Sequence, residues 1–314
     1  MKRLAAVALL LLVALVQATV QPTFRFTEED LESDSAAFRW GGTLWDLYGR
    51  WAADHEVVRE PSRFPTFKAN ARRQHSKKMM GLNVFGDRSL DEATITPCVR
   101  EAELAMDQQQ LPVVDVRPAA DLPSKVDWRQ AHAVTYVKRQ GRCGCCWAFA
   151  TAATLESSHA IKTQAAVAVS LSAQYLLDCT IYMDGTSDCT GGSRLSALHL
   201  VQRTGIPINS MYPYKGVQGT CDATNIYTSG LTVSGNDVYH GPGSTNLTHS
   251  VVIVGYDVDD LGGLYWIVKN SWGPRWGDDG YIFISAAAND GFVGPAGVAG
   301  ILKAGLFVET GTYE

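Results

Sequence analysis

The most constraining feature of the sequence is a glycine-containing turn that runs directly into a predicted helix and carries a cysteine at the junction. The run reads Gln140-Gly141-Arg142-Cys143-Gly144-Cys145-Cys146-Trp147-Ala148-Phe149. Backbone N–H groups at a helix N-terminus have no partner within the helix, and their partial positive charge favours a thiolate. We therefore predict that Cys146 begins the helix and acts as a nucleophile, which requires the fold to bring a base to it.

Further motifs extend over almost the whole remaining chain. They are Leu122–Arg129, Ser170-Leu171-Ser172, Cys189-Thr190-Gly191-Gly192, Tyr212-Pro213-Tyr214, His249 before a valine-rich run, and Asn270-Ser271-Trp272-Gly273. Together with the turn, this set resembles the papain-like cysteine peptidases, most closely their plant, cathepsin L-like branch. Their signature is Cys-Gly-(Ser/Ala)-Cys-(Trp/Tyr) with His and Asn downstream. This chain departs from the signature at one position, where Cys145 replaces Ser or Ala.

The resemblance implies an α+β papain-like fold with two lobes and an active-site cleft between them. One lobe is helical and is built around a helix over residues 146–162. The other resembles a β-barrel, and runs rich in β-branched and aromatic residues predict strands at 251–255, 265–269 and 281–284. Cys146 on one wall of the cleft would then face His249 on the other.

The same resemblance assigns a role to each residue of a Cys-His-Asn site. Cys146 would attack the substrate carbonyl as a thiolate, and His249 would protonate the leaving amine. Asn270 would orient the imidazole, and Trp272 would shield that hydrogen bond from water. The Gln140 side-chain amide and the Cys146 backbone N–H would form the oxyanion hole. The implied activity is hydrolysis of peptide bonds in proteins or peptides without a cofactor.

Residues 191–194 are expected to lie along the substrate cleft. Gly191 and Gly192 would offer backbone groups to an extended substrate, as strand addition does. Ser193 and Arg194 follow, where the family usually has bulkier, uncharged residues. An Arg194 cation in the cleft would select an acidic substrate side chain. The simpler expectation, which we favour from the sequence, is that Arg194 points to solvent.

The N-terminus predicts export through the secretory pathway. Lys2 and Arg3 precede an apolar run from Leu4 to Val16 and the small residue Ala18, which is the pattern of a signal peptide over residues 1–18. The run is short for a membrane span, and an uncleaved anchor is the alternative. The product would reach a lysosome or vacuole or the outside of the cell, with no membrane contact after cleavage.

That route permits disulfide bonds, and the chain has seven cysteines. The resemblance pairs Cys143 with Cys189 and Cys179 with Cys221. Each pair closes a loop of about 40 to 50 residues, which stabilises by roughly 4 kcal/mol on a chain-entropy model. These pairings would leave Cys146 free to react.

Two cysteines have no place in those pairs. Cys145 is expected to be a small buried residue beside Cys146, and Cys98 lies outside the predicted catalytic domain. A structural zinc site at the cysteines of the turn is the alternative reading of that cluster. The sequence offers no matching distant Cys/His pair, so no metal is expected.

Residues 19–121 are predicted to be an inhibitory proregion, followed by a peptidase domain over 122–314. Gly81-Leu82-Asn83-Val84-Phe85-Gly86-Asp87 matches the family's second proregion motif, and residues 97–121 are predicted to be a cleavable linker. The proregion would then be an inhibitory partner of its own enzyme. Its first helix is predicted by apolar residues at i, i+3, i+4 and i+7, which are Leu44, Leu47, Tyr48 and Trp51.

The peptidase domain is short between Cys221 and His249. His249 follows Cys146 by roughly 100 residues, whereas about 130–150 is usual for the group. A helix and an apolar strand of the β lobe are the segments we expect to be missing, together with part of the substrate pocket.

Asn246-Leu247-Thr248 is a glycosylation sequon beside the proposed base. His240, in a predicted loop, is the weaker alternative as the base.

Two functions remain open from the sequence. The first is a monomeric cysteine endopeptidase made as a secreted zymogen, which the intact Gln140, Cys146, His249 and Asn270 favour. The alternative is a catalytically inactive papain-like binding protein, or a truncated splice or gene-model product, which the shortened domain favours. A net charge of −5 gives no reason to expect a nucleic-acid partner.

Overall fold

The computed structural model describes residues 13–15, 24–26, 29–32, 42–76, 81–82, 85–89, 123–222, 249–260 and 263–286, and the fold is given for these residues. The helices are α1 (Glu29–Glu32), α2 (Gly42–Asp54), α3 (Phe64–Ser76), α4 (Cys146–Thr163), α5 (Ala173–Cys179), α6 (Ile181–Asp184) and α7 (Arg194–Thr204). The strands are β1 (Val13–Leu15), β2 (Phe24–Arg25), β3 (Gly81–Leu82), β4 (Val126–Asp127), β5 (Ser250–Val258), β6 (Leu264–Lys269) and β7 (Tyr281–Ser285).

Helices α2 and α3 pack together through an aromatic core. The four apolar positions that predicted α2 from the sequence are all fully buried. Phe67 of α3 stacks on Tyr48 with ring centroids 4.6 Å apart, and it lies 5.3 Å from the Trp51 ring. Strands β2 and β3 form a short antiparallel pair, and Phe24 and Leu82 from these strands contact the same core. Large buried rings therefore hold this N-terminal unit together.

Helix α4 is the central helix of the remaining chain. Nearly all of its residues between Cys146 and Ala160 are buried, because it packs on α5, on α7 and on strand β5. Ser172 caps α5 and Ser193 caps α7, each accepting a backbone N–H from the first turn of its helix. Among the described residues, no helix is long and apolar enough to cross a membrane.

Strand β5 is the centre of an antiparallel sheet with the order β1-β5-β6-β7. Strand β6 pairs with one edge of β5, and the three strands predicted from the sequence lie within β5, β6 and β7. The other edge of β5 is shared, because β1 pairs with residues 250–252 and β4 pairs with Gly255 and Tyr256. Gly255 is required at this approach, since a Cβ there would lie 2.2 Å from the Val126 carbonyl oxygen.

Strand β1 lies within the segment that the sequence predicts to be a signal peptide. It covers the part of the β5 edge that follows His249 directly. Removal of residues 1–18 would therefore uncover backbone groups of residues 250–252. Residues 223–248, which contain the predicted site of the missing helix and strand, lie outside the described residues.

A buried carboxylate joins α4 to the sheet. Glu156 of α4 is fully buried and accepts hydrogen bonds from the Lys138 ammonium, the Thr135 hydroxyl and the backbone N–H of Leu171. Lys269, the last residue of β6, donates to the Thr135 carbonyl at 2.8 Å. Burial lowers the pKa of Lys269 to about 8, and the Glu156 charge opposes that change. Because an uncompensated charge is costly in such an interior, these groups depend on one another.

Replacing Glu156 should show that dependence. We expect Glu156→Ala to lower the free energy of unfolding by about 3–5 kcal/mol, because Lys138 loses its buried counter-charge. Glu156→Gln is the matched control and should lose less, since its amide can still accept from Lys138 and donate to the Thr135 hydroxyl. Urea and thermal unfolding measure both changes, and a Glu156→Ala variant as stable as wild type would contradict this role.

Candidate active site

Cys146 is the first residue of α4, and its side chain is fully buried. The backbone N–H of Ser250 donates to Cys146 Sγ across 3.1 Å. Ser250 begins β5 and directly follows His249 in the chain. The sulfur and the histidine are therefore brought together across the seam between α4 and β5.

His249 is fixed by Asn270, which follows β6 directly. His249 Nε2 lies 2.8 Å from Asn270 Oδ1, and because that oxygen only accepts, Nε2 carries the hydrogen and Nδ1 is the basic nitrogen of the neutral ring. Asn270 Oδ1 also accepts the Ser271 N–H at 2.7 Å, which holds the amide in place. Burial lowers the pKa of His249 to about 4, while the hydrogen bond to Asn270 opposes that change.

Trp272 covers the histidine. Its ring stacks on His249 with centroids 4.7 Å apart and planes 28° apart. Trp276 meets the far side edge-on at 5.3 Å, and Phe85 of the N-terminal unit meets Trp272 at 6.3 Å. The His249–Asn270 hydrogen bond therefore lies under aromatic rings, where exclusion of water strengthens it.

Gln140 ties the turn before α4 to the segment after Asn270. Its backbone N–H donates to the Ser271 carbonyl at 2.8 Å, and its side-chain carbonyl accepts from the Ser271 hydroxyl at 2.6 Å. The Gln140 amide nitrogen donates one hydrogen to the Cys143 carbonyl at 2.8 Å. Because an amide NH₂ carries two hydrogens, one donor remains for a ligand beside α4. Tyr214 adds a third anchor by donating to the Gln140 carbonyl.

The structure contains the disulfides Cys143–Cys189 and Cys179–Cys221, the pairs that the resemblance implies. Cys145 is a buried thiol, and burial raises its pKa to about 12. Cys146 is itself disulfide-bonded in this structure, which differs from the prediction that it is free to react. The difference arises because the pairing by resemblance covered only four of the seven cysteines.

The glycines of the expected cleft pack beside the start of α4. A Cβ on Gly192 would lie 2.4 Å from the Trp147 ring, and Gly191 has a φ of 136°, a backbone conformation that favours glycine. Ser193 donates its backbone N–H to the Ser187 hydroxyl. Arg194 is only 1% exposed, so the expectation that it points to solvent is wrong. As the first residue of α7, its side chain turns into the protein interior.

Two predicted features cannot be placed in the structure. Asn246 of the sequon and His240, the weaker alternative as the base, lie outside the described residues. Among the described residues, no cluster of His, Cys, Asp and Glu could hold a metal ion.

An ion pair that sequence reasoning missed joins the N-terminal unit to the turn before Cys146. Arg142 Nη2 lies 2.7 Å from both carboxylate oxygens of Asp87, which is fully buried. Tyr48 also donates to Asp87, at 3.1 Å. Both residues lie in motifs that are visible in the sequence. Asp87 is the last residue of the second proregion motif, and Arg142 lies in the turn before Cys146. Their partnership was not visible, since 55 residues separate them.

A second contact between the units centres on His55. Its Nε2 donates to the Leu82 carbonyl, and its Nδ1 accepts from Arg139 Nη2 at 3.3 Å, which requires a neutral ring. Burial lowers the pKa of His55 to about 4; Asp54 and the Leu82 carbonyl oppose the change, while Arg139 and Arg275 add to it. Protonation of Nδ1 would place a donor against the Arg139 guanidinium.

The charged groups around His55 form a small network. Arg275 binds Asp54 at 2.5 Å, and Arg139 lies 3.4 Å from the exposed Glu56 carboxylate. Arg139 also donates to the Asp54 carbonyl oxygen. The end of α2 is thus bound to Arg139 and Arg275, which line the same small cavity as Trp272.

Comparison with known proteins gives the family of the chain. The model of the papain family cysteine protease matches residues 122–239 and 223–300. Cysteine endopeptidase Rep1 of Oryza sativa subsp. japonica is 36% identical, covering 89% of this chain and 86% of its own length. Vignain of Vigna mungo is 34% identical over 84% of each chain.

Solved structures of proenzymes are also similar. The ragweed pollen cysteine protease Amb a 11 in its proform matches with a TM-score of 0.71 and 30% identity, over 92% of this chain and 99% of that one. The recombinant stem bromelain precursor matches with a TM-score of 0.67 and 28% identity, over 86% of this chain and all of that one. The chain belongs to the papain family of cysteine proteases and is a cysteine endopeptidase made as a proenzyme.

The His55 contact predicts how the two units respond to acid. The pKa of His55 is about 4 in the docked state, below its usual 6.5. If undocking restores the usual value, His55 supports the docked state above pH 6.5, and that support is lost as the pH falls towards 4. His249, buried with a pKa of about 4, acts in the same direction. We expect acid to separate the units, and His55→Gln, which keeps a donor and an acceptor but does not titrate, to shift the midpoint to lower pH. Tryptophan fluorescence of the proenzyme during acid titration measures the shift.

The matched control for that titration is His132→Gln. His132 lies away from the interface, in the turn after β4, and is exposed. Its substitution should leave the midpoint unchanged. Identical midpoints for wild type and His55→Gln would contradict the role of His55.

Proposed function

We propose that Cys146, His249 and Asn270 are the residues with which this endopeptidase hydrolyses peptide bonds. The hydrogen bond of 2.8 Å from His249 to Asn270, under the Trp272 ring and beside the N-terminus of α4, is the observation that carries the proposal. It leaves Nδ1, on the edge of the imidazole away from Asn270, as the basic nitrogen. This nitrogen must exchange protons with the sulfur and the substrate.

Catalysis would proceed in two covalent steps. The Cys146 thiolate attacks the substrate carbonyl, and the imidazolium of His249 gives its proton to the leaving amine, which leaves a thioester. Neutral His249 then takes a proton from water, and the resulting attack hydrolyses the thioester. Asn270 keeps the ring oriented through both steps, because its oxygen can accept only from Nε2.

The developing oxyanion would be stabilised beside Gln140. The second amide hydrogen of Gln140 and the backbone at the start of α4 are the donors that support this assignment. Because Gln140 is buried and anchored at three points, its amide is oriented before substrate binds. Loss of one such donor typically reduces the rate by about 10²–10³.

The domain that carries this site is proposed to have two lobes, with a β lobe that lacks one helix and one strand. Two observations support the shortening. The family model matches as two segments that overlap at residues 223–239, between the two walls of the site. The rice relative aligns over 332 positions, more than the 314 residues of the whole chain, so that relative has positions without a counterpart here. The helix-to-sheet seam that holds the site lies outside the shortened stretch.

Residues 1–18 are proposed to direct the chain into the secretory pathway, and residues 19–121 to inhibit the domain that follows. The ion pair of Asp87 with Arg142 and the contacts of His55 and Asp54 support this inhibitory role. They hold the N-terminal unit against both walls of the site. A lysosome, a vacuole or the outside of the cell would be the place of action, and protein substrates would enter once the proregion has left.

Arg194 is proposed to make the cleft selective for acidic substrate side chains. It is buried two residues after Gly192, which itself packs on the ring beside Cys146. A guanidinium that a substrate can reach binds a carboxylate in bidentate contact, which an apolar side chain cannot replace. Glu and Asp are therefore the substrate residues that it would select.

The proposed nucleophile is tested by replacing the two adjacent cysteines separately. Cys146→Ala should abolish turnover of a peptide substrate by the reduced, acid-processed enzyme. Cys145→Ser should leave kcat/KM within about threefold of wild type, because the Cys145 thiol is buried and its pKa is raised to about 12. Labelling with an epoxide inhibitor and peptide mapping gives the modified residue. Full turnover by Cys146→Ala, or loss of turnover only in Cys145→Ser, would overturn the assignment.

Selectivity is tested with peptide pairs that differ only in having Glu or Leu at one position. Wild type should have the higher kcat/KM for the Glu peptide at one cleft position, by about 10- to 100-fold. Arg194→Gln should remove that preference, and Arg194→Lys should keep part of it because it keeps the charge without the planar fork. A wild-type enzyme that prefers Leu at every position would contradict the proposal.

A further inference from the structure

A small cavity lies between α4 and the sheet, next to the site. Its volume is about 20 Å³, and its walls are formed by residues of α4, β5 and β6, by Lys138, and by Asn270 and Ser271. All of the lining residues except Lys138 are buried. A cavity of this size holds one ligand of about the size of a water molecule, and it excludes phosphate, sulfate and organic acids.

The side chain of Ser250 is an unused donor in this cavity. Ser250 lines the cavity and is 1% exposed, and its hydroxyl has no hydrogen-bond partner in the described part of the chain. Burial of a hydroxyl without a partner is costly, so an orphaned hydroxyl beside a cavity indicates a small polar ligand. The backbone N–H of the same residue is engaged separately, because it donates to Cys146 Sγ.

The two lysines of the cavity wall contribute further donors. Lys269 Nζ donates two hydrogens to Thr135, one to its carbonyl and one to its hydroxyl. Lys138 Nζ also donates two, to the Glu156 carboxylate and to the Leu171 carbonyl. Because an ammonium carries three hydrogens, each lysine has one N–H beyond these bonds. Residues of the wall therefore offer three donors, which are one hydroxyl and two ammonium N–H groups.

The charge around the cavity is positive. Lys138 and Lys269 line it, and Glu156 is the carboxylate bound to Lys138, which leaves an excess of one positive charge. Burial lowers the pKa of Lys269 to about 8; the charge of Glu156 opposes that change, and the charge of Lys138 adds to it. In acid Lys269 is thus a buried cation whose hydrogen bonds go to Thr135 rather than to a carboxylate. An anion in the cavity would offset this charge.

We propose that this cavity binds a single halide ion, with chloride as the natural ligand, held by the Ser250 hydroxyl and the ammonium groups of Lys138 and Lys269. Water matches the cavity in size, but only an anion also offsets the excess positive charge. The proposal does not depend on Cys146 being the nucleophile, because it concerns the wall of the site and not the reaction.

A halide here would join the segments that carry the site. Ser250 begins β5, Lys269 ends β6, and Lys138 lies in the segment before α4. Ser250 directly follows His249, and Lys269 directly precedes the Asn270 that binds His249. The bound ion would therefore stabilise the seam between α4 and the sheet, and the stability of the enzyme would depend on the halide concentration.

Thermal unfolding of the exported proenzyme measures the binding. The titration is made at about pH 6, where Lys269 is protonated, and sodium gluconate is exchanged for sodium chloride at constant ionic strength. Gluconate is too large for the cavity, so the halide alone can enter it. We expect Tm to rise by roughly 2–5 °C and to level off as the site fills. A Tm that does not rise to a plateau would overturn the proposal.

Ser250→Ala locates the effect at the cavity. This variant loses the hydroxyl but keeps the backbone N–H on Cys146, and the chloride concentration at half of the Tm shift should increase by about 10-fold. Thr180→Val is the matched control. The Thr180 hydroxyl is also buried without a partner among the described residues, and it lies between α5 and α6, outside the cavity wall. The control should respond like wild type, and an equal response of Ser250→Ala would contradict the proposal.

Two charge variants separate an anion from a water molecule. Glu156→Gln removes the negative charge of the cluster, so chloride should bind at least about threefold more tightly, whereas Lys269→Gln should abolish the response. Changes in the same direction would show that the site does not respond to charge, and the proposal would be wrong. Circular dichroism checks the fold of both variants, and the titrations of wild type and Ser250→Ala are decisive if either fails to fold.

Bromide shows the position of the ion directly. Crystals of the proenzyme soaked in sodium bromide are measured at the bromine absorption edge, where bromide scatters anomalously and water does not. We expect an anomalous peak within hydrogen-bonding distance of Ser250 Oγ and Lys269 Nζ. A water molecule at that position without a peak would overturn the proposal, even if Tm depends on chloride.

Discussion

The seam between α4 and β5 is the constraint on which the rest of the structure depends. It joins the N-terminus of a buried helix to the first residue of a strand, with the Ser250 N–H on the Cys146 sulfur. On one side of the seam the Ser271 hydroxyl donates to the Gln140 side chain. On the other side Lys138 binds Glu156 of α4, and Lys269 of β6 donates to the Thr135 carbonyl. Each of these groups is polar and buried, so each needs its partner on the other element, and the site geometry follows from that requirement.

Much of the local structure could be predicted from the sequence because it is encoded by neighbouring residues. The start of α4, the apolar face of α2 and three of the five strands of the sheet follow from local residue patterns. The contacts of Arg142, His55 and Arg194 could not be predicted in this way. Their partners or their burial depend on elements that are distant in the chain, and a lone Arg or His carries no signal of what will cover it. The state of Cys146 was missed for a similar reason, because pairing by resemblance had no role for a seventh cysteine.

The N-terminal unit covers the site through ion pairs at the edge of the interface and aromatic rings at its centre. Phe85 and Trp272 exclude water from the histidine, while ion pairs from Asp54 and Asp87 fix the N-terminal unit at two separate points. The aromatic contact is insensitive to pH, whereas the imidazole of His55 between the two ion pairs is not. The same interface can therefore be tight near neutral pH and weak in acid without any change in its apolar core.

The pairing of β1 with β5 bears on the order of events during synthesis. Translation produces residues 13–15 first and residues 250–252 long afterwards, so a signal peptidase acting on the emerging chain would remove β1 before its partner strand exists. The exported protein would then fold with an unprotected strand edge next to its active site. Because such edges pair readily with other chains, the yield of soluble enzyme would depend on chaperones and on concentration during export. Loss of β1 would thus shift part of the burden of folding from the sequence to the compartment in which the chain folds.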